Sequence, residues 1–174
     1  IQFAIPRRNW SNGTVFDMYK HNISSSNTAT SGASNLFDSA FYFMTSDFRV
    51  YKVIDNNGGT AFSGSEPTSE STSTFALGGY ILKYMYKISA SDASKYITTD
   101  FIPVATDSTV SAAATDGAIE SVVVTAGSGY TDGTYYAAVF GDGTNQGTSS
   151  GAVIRITVTS GSIQSFGLTA GSDT

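Results

Sequence analysis

Cysteine is absent from the 174-residue chain, histidine occurs once (His21), and proline three times. Without cysteine there are no disulfides, thiolate nucleophiles or cysteine-based zinc sites. With a single histidine, most acid–base and metal chemistry lacks its favoured proton carrier and ligand. Charge is scarce as well: Asp, Glu, Lys and Arg make up 13% of residues, about half the usual share. The nine basic residues do not offset the fourteen acidic ones and the net charge is −5, so nothing favours binding to phosphate backbones. No apolar run approaches the roughly 18 to 20 residues of a membrane-spanning helix. The N-terminal Ile1-Gln2-Phe3-Ala4-Ile5-Pro6-Arg7-Arg8 has no secretory pattern. It reads as an internal or processed start. The expectation is no nucleic-acid partner, no membrane, no metal and no cofactor.

What remains is neutral and polar: 26 Ser, 22 Thr and 18 Gly around a 40% apolar fraction that includes 10 Tyr and 11 Phe. In such a chain the three sequons, at Asn9, Asn12 and Asn22, are expected by chance.

The apolar period is two almost throughout, which predicts a mainly β fold, an antiparallel β-sandwich-like domain followed by a small Gly-rich β-repeat module. From Gly79 to Ser89, residues Tyr80, Leu82, Tyr84, Tyr86 and Ile88 are expected on one strand face, with Ile81, Lys83, Met85 and Lys87 on the other. Phe48–Ile54 is β-branched and aromatic and ends in Asp55-Asn56-Asn57-Gly58-Gly59, a turn. Ala40–Met44 is apolar on both faces and reads as a buried strand. Residues 24–34 and 60–75 read as long exposed loops. Ser91–Tyr96 suits one or two helical turns capped by Ser89 or Ser91. Phe101-Ile102-Pro103-Val104 resembles an edge strand.

Composition shifts near Ala105. Residues 1–104 form one expected domain, 105–116 a featureless linker, and 117–174 a β-repeat module with strands at 119–125, 134–140, 152–159 and 162–168. Gly117–Ser128 and Gly161–Ser172 agree at seven of twelve positions with an offset of 44 residues. That spacing suits a repeated β-module. The second copy stops where the first runs on into Gly129-Tyr130-Thr131, so a longer protein cut inside a repeat is expected.

No catalytic constellation emerges. His21 lies near Asp17 and Ser24–Ser26, but without a nucleophile elbow. Asp55, Asp132 and Asp142 sit singly among glycines and asparagines, as turns do, and not in a calcium-loop pattern. Gly127-x-Gly129 and Gly141-x-Gly143 complete no phosphate fingerprint. Glu66 and Glu70 share a Ser/Thr loop and not a groove. The aromatic positions Phe41, Phe43, Tyr80, Tyr84 and Tyr86 are the candidate interface, because large permanent interfaces are aromatic at the centre. Core packing would leave the same sequence pattern.

Four segments in order, "YKVIDNNGG" at 51–59, "EPT" at 66–68, "GYILKYMYKI" at 79–88 and "FIPV" at 101–104, resemble the baseplate wedge subunits of T-even-like contractile-tailed bacteriophages, the gene-product-eight type, particularly the longer versions from phages of marine cyanobacteria. The resemblance covers residues 1–104. It implies a β-rich, multidomain, dimeric structural protein that contacts neighbouring wedge proteins in the virion's tail baseplate, assembled in the host cytoplasm. It carries over no catalytic residue. The polar loops at 24–34 and 60–74 depart from the family pattern, so their contacts do not transfer. The different-class alternative is a receptor-binding or carbohydrate-binding tail-fibre module, suggested by the tyrosine faces and Gly-rich repeats.

Overall fold

The computed structural model describes residues 2–114, 119, 122, 127–139 and 152–170. The chain divides into two compact units, Ile1–Ser121 and Val122–Thr174. The fold is mainly β, and its strand pairing is antiparallel throughout the named strands.

The first unit is built on a four-stranded sheet. Its strands are β2 (Tyr42–Met44), β3 (Arg49–Asp55), β4 (Phe75–Leu77) and β5 (Tyr80–Lys87), in the order β2-β3-β5-β4. The alternation read in β5 is present: Tyr80, Leu82, Tyr84 and Tyr86 are buried and the residues between them half-buried. β4 and β5 are joined by Gly78-Gly79, which take φ of 63° and 87°. Two consecutive positive φ values are what a two-residue hairpin turn with matching twist requires. The Asp55–Gly59 turn also forms as expected, as a 3-10 turn over Asn57–Gly59 whose preceding Asn56 side chain accepts from Gly59 N–H.

Both faces of this sheet are covered. One face carries Phe43, Tyr51, Val53, Tyr80, Leu82 and Tyr84, sealed by Phe16 and Phe62 from the connecting loops. The other carries Tyr42, Met44, Val50, Tyr86 and Ile88, sealed by Ile102. Ile102 belongs to a two-stranded ribbon of β1 (Ala4–Pro6) and β6 (Phe101–Pro103). Helix α1 (Ala90–Tyr96) packs Ala93 on this second cluster. Its N-cap is Ser89, whose hydroxyl accepts from Asp92 N–H. The second β layer is therefore the short ribbon alone, and loops seal the opposite face.

Three expectations need correction. The stripe Tyr80-Leu82-Tyr84-Tyr86-Ile88 does not stay in one cluster. A register shift between Val50 and Tyr51 skips Met85, so Tyr51 pairs with Tyr84 while Val50 pairs with Tyr86. A bulge re-aims the residues beyond it, and Tyr86 and Ile88 join the second cluster. Secondly, the 60–75 loop is not simply exposed: Phe62 and Pro67 are buried within it. Thirdly, the described part of the supposed linker 105–116 contains α2 (Ser108–Ala113), capped by Asp107, whose carboxylate accepts from Thr109 and Val110 N–H. Val110 packs against the first core cluster. A cap and one apolar anchor dock this helix where composition alone suggests a featureless connection.

The second unit contains β7 (Gly133–Ala138), β8 (Ala152–Thr159) and β9 (Ser162–Ala170), a three-stranded sheet in that order. These match the expected strands at 134–140, 152–159 and 162–168 to within a few residues. Asp132 holds the β8–β9 turn: its carboxylate accepts Ser160 N–H at 3.0 Å and Gly161 N–H at 2.8 Å. The expected strand at 119–125, most of the first repeat copy, and Asp142 with its flanking glycines lie outside the described residues.

Candidate functional site

The structure does not place the five expected interface residues on a surface. Phe43, Tyr80, Tyr84 and Tyr86 are between 0% and 6% exposed, and only Phe41 is half-buried. The two sheet faces from which they project are both covered within the chain, so their rings pack in its own core. This corrects the expectation of a docking face built from Phe43, Tyr80, Tyr84 and Tyr86. It also removes the alternating Tyr80/Tyr84/Tyr86 stripe as a sugar-stacking platform.

The hydroxyl tips of these tyrosines have a definite role. Tyr80 donates to Thr60 O at 2.7 Å and accepts from Phe16 N–H at 3.1 Å. Tyr51 donates to Ser69 O at 2.8 Å, Tyr42 to Pro6 O at 2.7 Å and Tyr86 to Pro103 O at 3.3 Å. Tyr84 donates to the Asp107 carboxylate at 3.3 Å. Each ring is in the core and each tip fastens a flanking segment, satisfying a polar group that the core would otherwise leave unpaired. Burial pushes the hydroxyls of Tyr51, Tyr84 and Tyr86 up to about 12, because the charged phenolate is disfavoured away from water.

Asp17, the acid near His21 in sequence, is also structural. It is 1% exposed, and its carboxylate accepts four hydrogen bonds. They come from Ser31 N–H (2.7 Å), Ser31 Oγ (2.7 Å), Ser39 Oγ (3.1 Å) and Ala40 N–H (2.7 Å). Burial alone would raise its pKa, but the bonds from Ser31, Ala40 and Ser39 outweigh that and hold it below the ordinary carboxylate value. His21 is exposed in the same loop region. The serines proposed beside it bond locally, Ser24 to Ser26 at 3.1 Å. Asp55 accepts Asn57 N–H within its own turn at 2.9 Å. Glu66 and Glu70 do not face each other across a groove. Glu66 accepts from Ser46 N–H and Oγ, both at 2.6 Å, and Glu70 pairs with Arg49 at 2.6 Å. Both tie the 60–75 loop to the β2–β3 hairpin.

That hairpin borders a cleft of about 230 Å³, lined by Arg7, Asn9, Trp10, Thr45, Phe48 and Glu66 among others. Its turn holds Phe48 at φ 70°, a left-handed conformation unusual for a bulky residue. Thr45 N–H donates to Arg49 O at 2.8 Å and Phe48 N–H to Thr45 O at 3.1 Å, which fixes it. The cleft is smaller than the roughly 300–1,000 Å³ of ordinary ligand pockets. Several of its polar groups are engaged: Arg7 Nε donates to Asn9 Oδ1 and Arg7 Nη1 to Thr98 O, each at 3.0 Å, and Glu66 holds Ser46, while the buried Trp10 Nε1 has no hydrogen-bond partner.

Among the described residues no group of three potential metal ligands converges, and no helix is long and apolar enough to cross a membrane. The exposed aromatics are elsewhere. In the second unit Tyr130, Tyr135 and Tyr136 are 46%, 44% and 66% exposed, and in the first Phe3, Phe37, Tyr96 and Phe101 are exposed. The tyrosines of β7 escape a period-two pattern because adjacent strand residues alternate between faces; the available signal is a strand with two adjacent aromatics and no charge.

Compared with known proteins, the chain matches no family model, no curated protein and no solved structure.

Proposed function

We propose that the chain is a structural subunit of a phage tail baseplate wedge, assembling with itself and with neighbouring wedge proteins in the virion. One observation carries this reading. The four segments of the resemblance carry the two central strands of the first unit's sheet and parts that fasten to it: "YKVIDNNGG" spans most of β3 and its turn, "GYILKYMYKI" spans β5, "FIPV" contains β6, and the Glu66 of "EPT" clamps the β2–β3 hairpin. The likeness therefore lies in fold-determining residues. The chain's polar side chains support the same reading, since those of Asp17, Asn56, Glu66 and five core tyrosines tie segments of the first unit together. A chain without cysteine suits assembly in a reducing host cytoplasm.

The second reading is a glycan-binding tail-fibre module, favoured by Tyr135 and Tyr136, which are exposed on adjacent positions of β7. Antibodies raised against the chain, viewed by electron microscopy on particles of the phage that encodes it, test the first reading. Label at the baseplate supports it, and label confined to the fibres or absent from the particle overturns it. Saturable binding of the isolated chain on a glycan array favours the second.

A further inference from the structure

Free strand edges in soluble proteins are normally defended by shortness, lysine, proline or a bulge, because an open row of backbone N–H and C=O groups recruits other strands. The edges of the first unit follow this rule. β4 is three residues long, residues 8–10 run beside β2 through an Asn9–Met44 bridge, and β1 and β6 are short and carry Pro6 and Pro103. In the second unit the first residue of β9, Ser162, is bridged by Ser128.

β7 is different. Among the described residues it pairs only with β8, through six consecutive pairs from Gly133–Val158 to Ala138–Val153 without a register shift. Its sequence, Gly-Thr-Tyr-Tyr-Ala-Ala, has no charge and no proline, and all six residues are exposed. The other outer strand, β9, is longer and also lacks charge and proline, but it carries a bulge where Thr157 pairs with Ser165 and Val158 with Ile163 and the Ser128 bridge at its start; among the described residues β7 has neither.

We propose that β7 pairs antiparallel with β7 of a second copy of this chain, about a two-fold axis, so that two three-stranded sheets become one of six strands. The occupant follows from symmetry and charge. In a two-fold antiparallel ladder the central residue lies opposite its own counterpart. With the axis at Tyr135 or at Tyr136, a tyrosine–tyrosine pair forms at the centre, a favourable cross-strand contact. Two copies of a chain with net charge −5 repel where acids face each other, but β7 brings none. The nearest acid, Asp132, is engaged by Ser160 and Gly161 N–H. The neighbouring β8 contributes a single charge, Arg155, opposite Tyr136. A ladder of six residues is about 20 Å long, at the small end of specific interfaces, so the dimer is weak and depends on concentration. The inference concerns the second unit alone and holds whatever assembly the first belongs to.

Hydrogen–deuterium exchange and sedimentation of the full chain across a wide concentration range test it. The expected result is a monomer–dimer equilibrium, with amide protection in 133–138 that grows with concentration. The double variant Tyr135→Lys/Tyr136→Lys, which sets like charges facing across the axis, weakens association at least tenfold. Tyr130→Lys, at an equally exposed tyrosine outside β7, leaves it unchanged. If the double variant loses protection in β8 and β9, Ala137→Lys takes its place with the same expectation. A monomer at every concentration overturns the proposal. So does association that persists in the lysine variants without protection of 133–138, or growth to open-ended polymers in place of a dimer.

Discussion

Replacing Asp17 by asparagine changes one atom, and the structure says why it destabilises the first unit. The carboxylate presents an acceptor on each side: Oδ1 to Ser31 N–H, and Oδ2 to Ala40 N–H and the hydroxyls of Ser31 and Ser39. An amide has only one acceptor oxygen. Whichever way it is turned, its NH₂ faces a backbone N–H, and that donor loses its partner. Leaving one such group unsatisfied costs about 1–3 kcal/mol, and the remaining bonds lose the extra strength of a charged acceptor. The expected total is about 2–4 kcal/mol. Trp10 is the only tryptophan and belongs to the first unit, so its fluorescence in urea reports that unit alone. With a slope of about 1–3 kcal/mol per molar urea, the midpoint falls by about 1 M or more. The pH dependence adds a second check. Asp17 is held below its ordinary value, so its contribution is complete above the unfolded carboxylate value of about 3.9 and is lost as pH falls through the lower folded value. The gap between wild type and variant should be constant near neutrality and close only in acid. A variant within about 0.5 kcal/mol of wild type at pH 7, or a gap that stays the same in strong acid, refutes the reasoning.

Tyr51, Tyr84 and Tyr86, raised to about 12, favour the folded state fully below the unfolded tyrosine value near 10 and lose that contribution as pH rises toward 12. Tyrosinate absorbance should therefore show a late, cooperative step coinciding with loss of the Trp10 signal. Gly78→Ala forces a side chain onto a residue at φ 63° and drives its Cβ into the Phe62 ring; strain and overpacking together should cost about 2–4 kcal/mol in urea unfolding. Val110→Ala should cost about 1 kcal/mol, because Val110 docks α2 on the core; a loss under about 0.3 kcal/mol would mean that residues 108–113 are a connection without packing.

Strands β3 and β5 were legible because both obey a period of two and β3 ends in an Asn-Gly turn; β4, three residues long, is too short to show a period. The helix α1 was legible from its Ser89 cap. Three things were not legible, for separate physical reasons. The bulge at Met85 breaks no rule of composition, yet it divides the tyrosine stripe between two clusters. Aromatic periodicity reports that a face is covered but not by what, so Phe43, Tyr80, Tyr84 and Tyr86 read equally well as core and as interface. Asp17 reaches partners 14 to 23 residues away, a distance at which no spacing rule operates. The helix α2 did leave a trace: Asp107 stands before Ser108-Thr109-Val110, an N-cap signal obscured by the small residues after it.

The tyrosines connect these findings. With charges at 13% of the chain, ion pairs are too few to anchor the long loops, and exposed pairs contribute little in any case. A tyrosine does both tasks at once, burying a ring and delivering a hydroxyl to an acceptor on a flanking segment at the edge of the core. In the first unit the residues at 42, 51, 80, 84 and 86 all act this way. In the second unit Tyr135 and Tyr136 stand on an uncharged strand and remain exposed. Tyr135 does donate its hydroxyl, to Thr131 O at 2.8 Å, but four residues away in its own strand approach, so it fastens no distant segment. The same residue type thus closes the first unit on itself and leaves the second with an aromatic edge. The aromatic content that suggested an assembly protein is therefore divided: the sheet tyrosines of the first unit are core, while Tyr135 and Tyr136 of β7, like Tyr130, Phe3 and Phe37 elsewhere, are exposed.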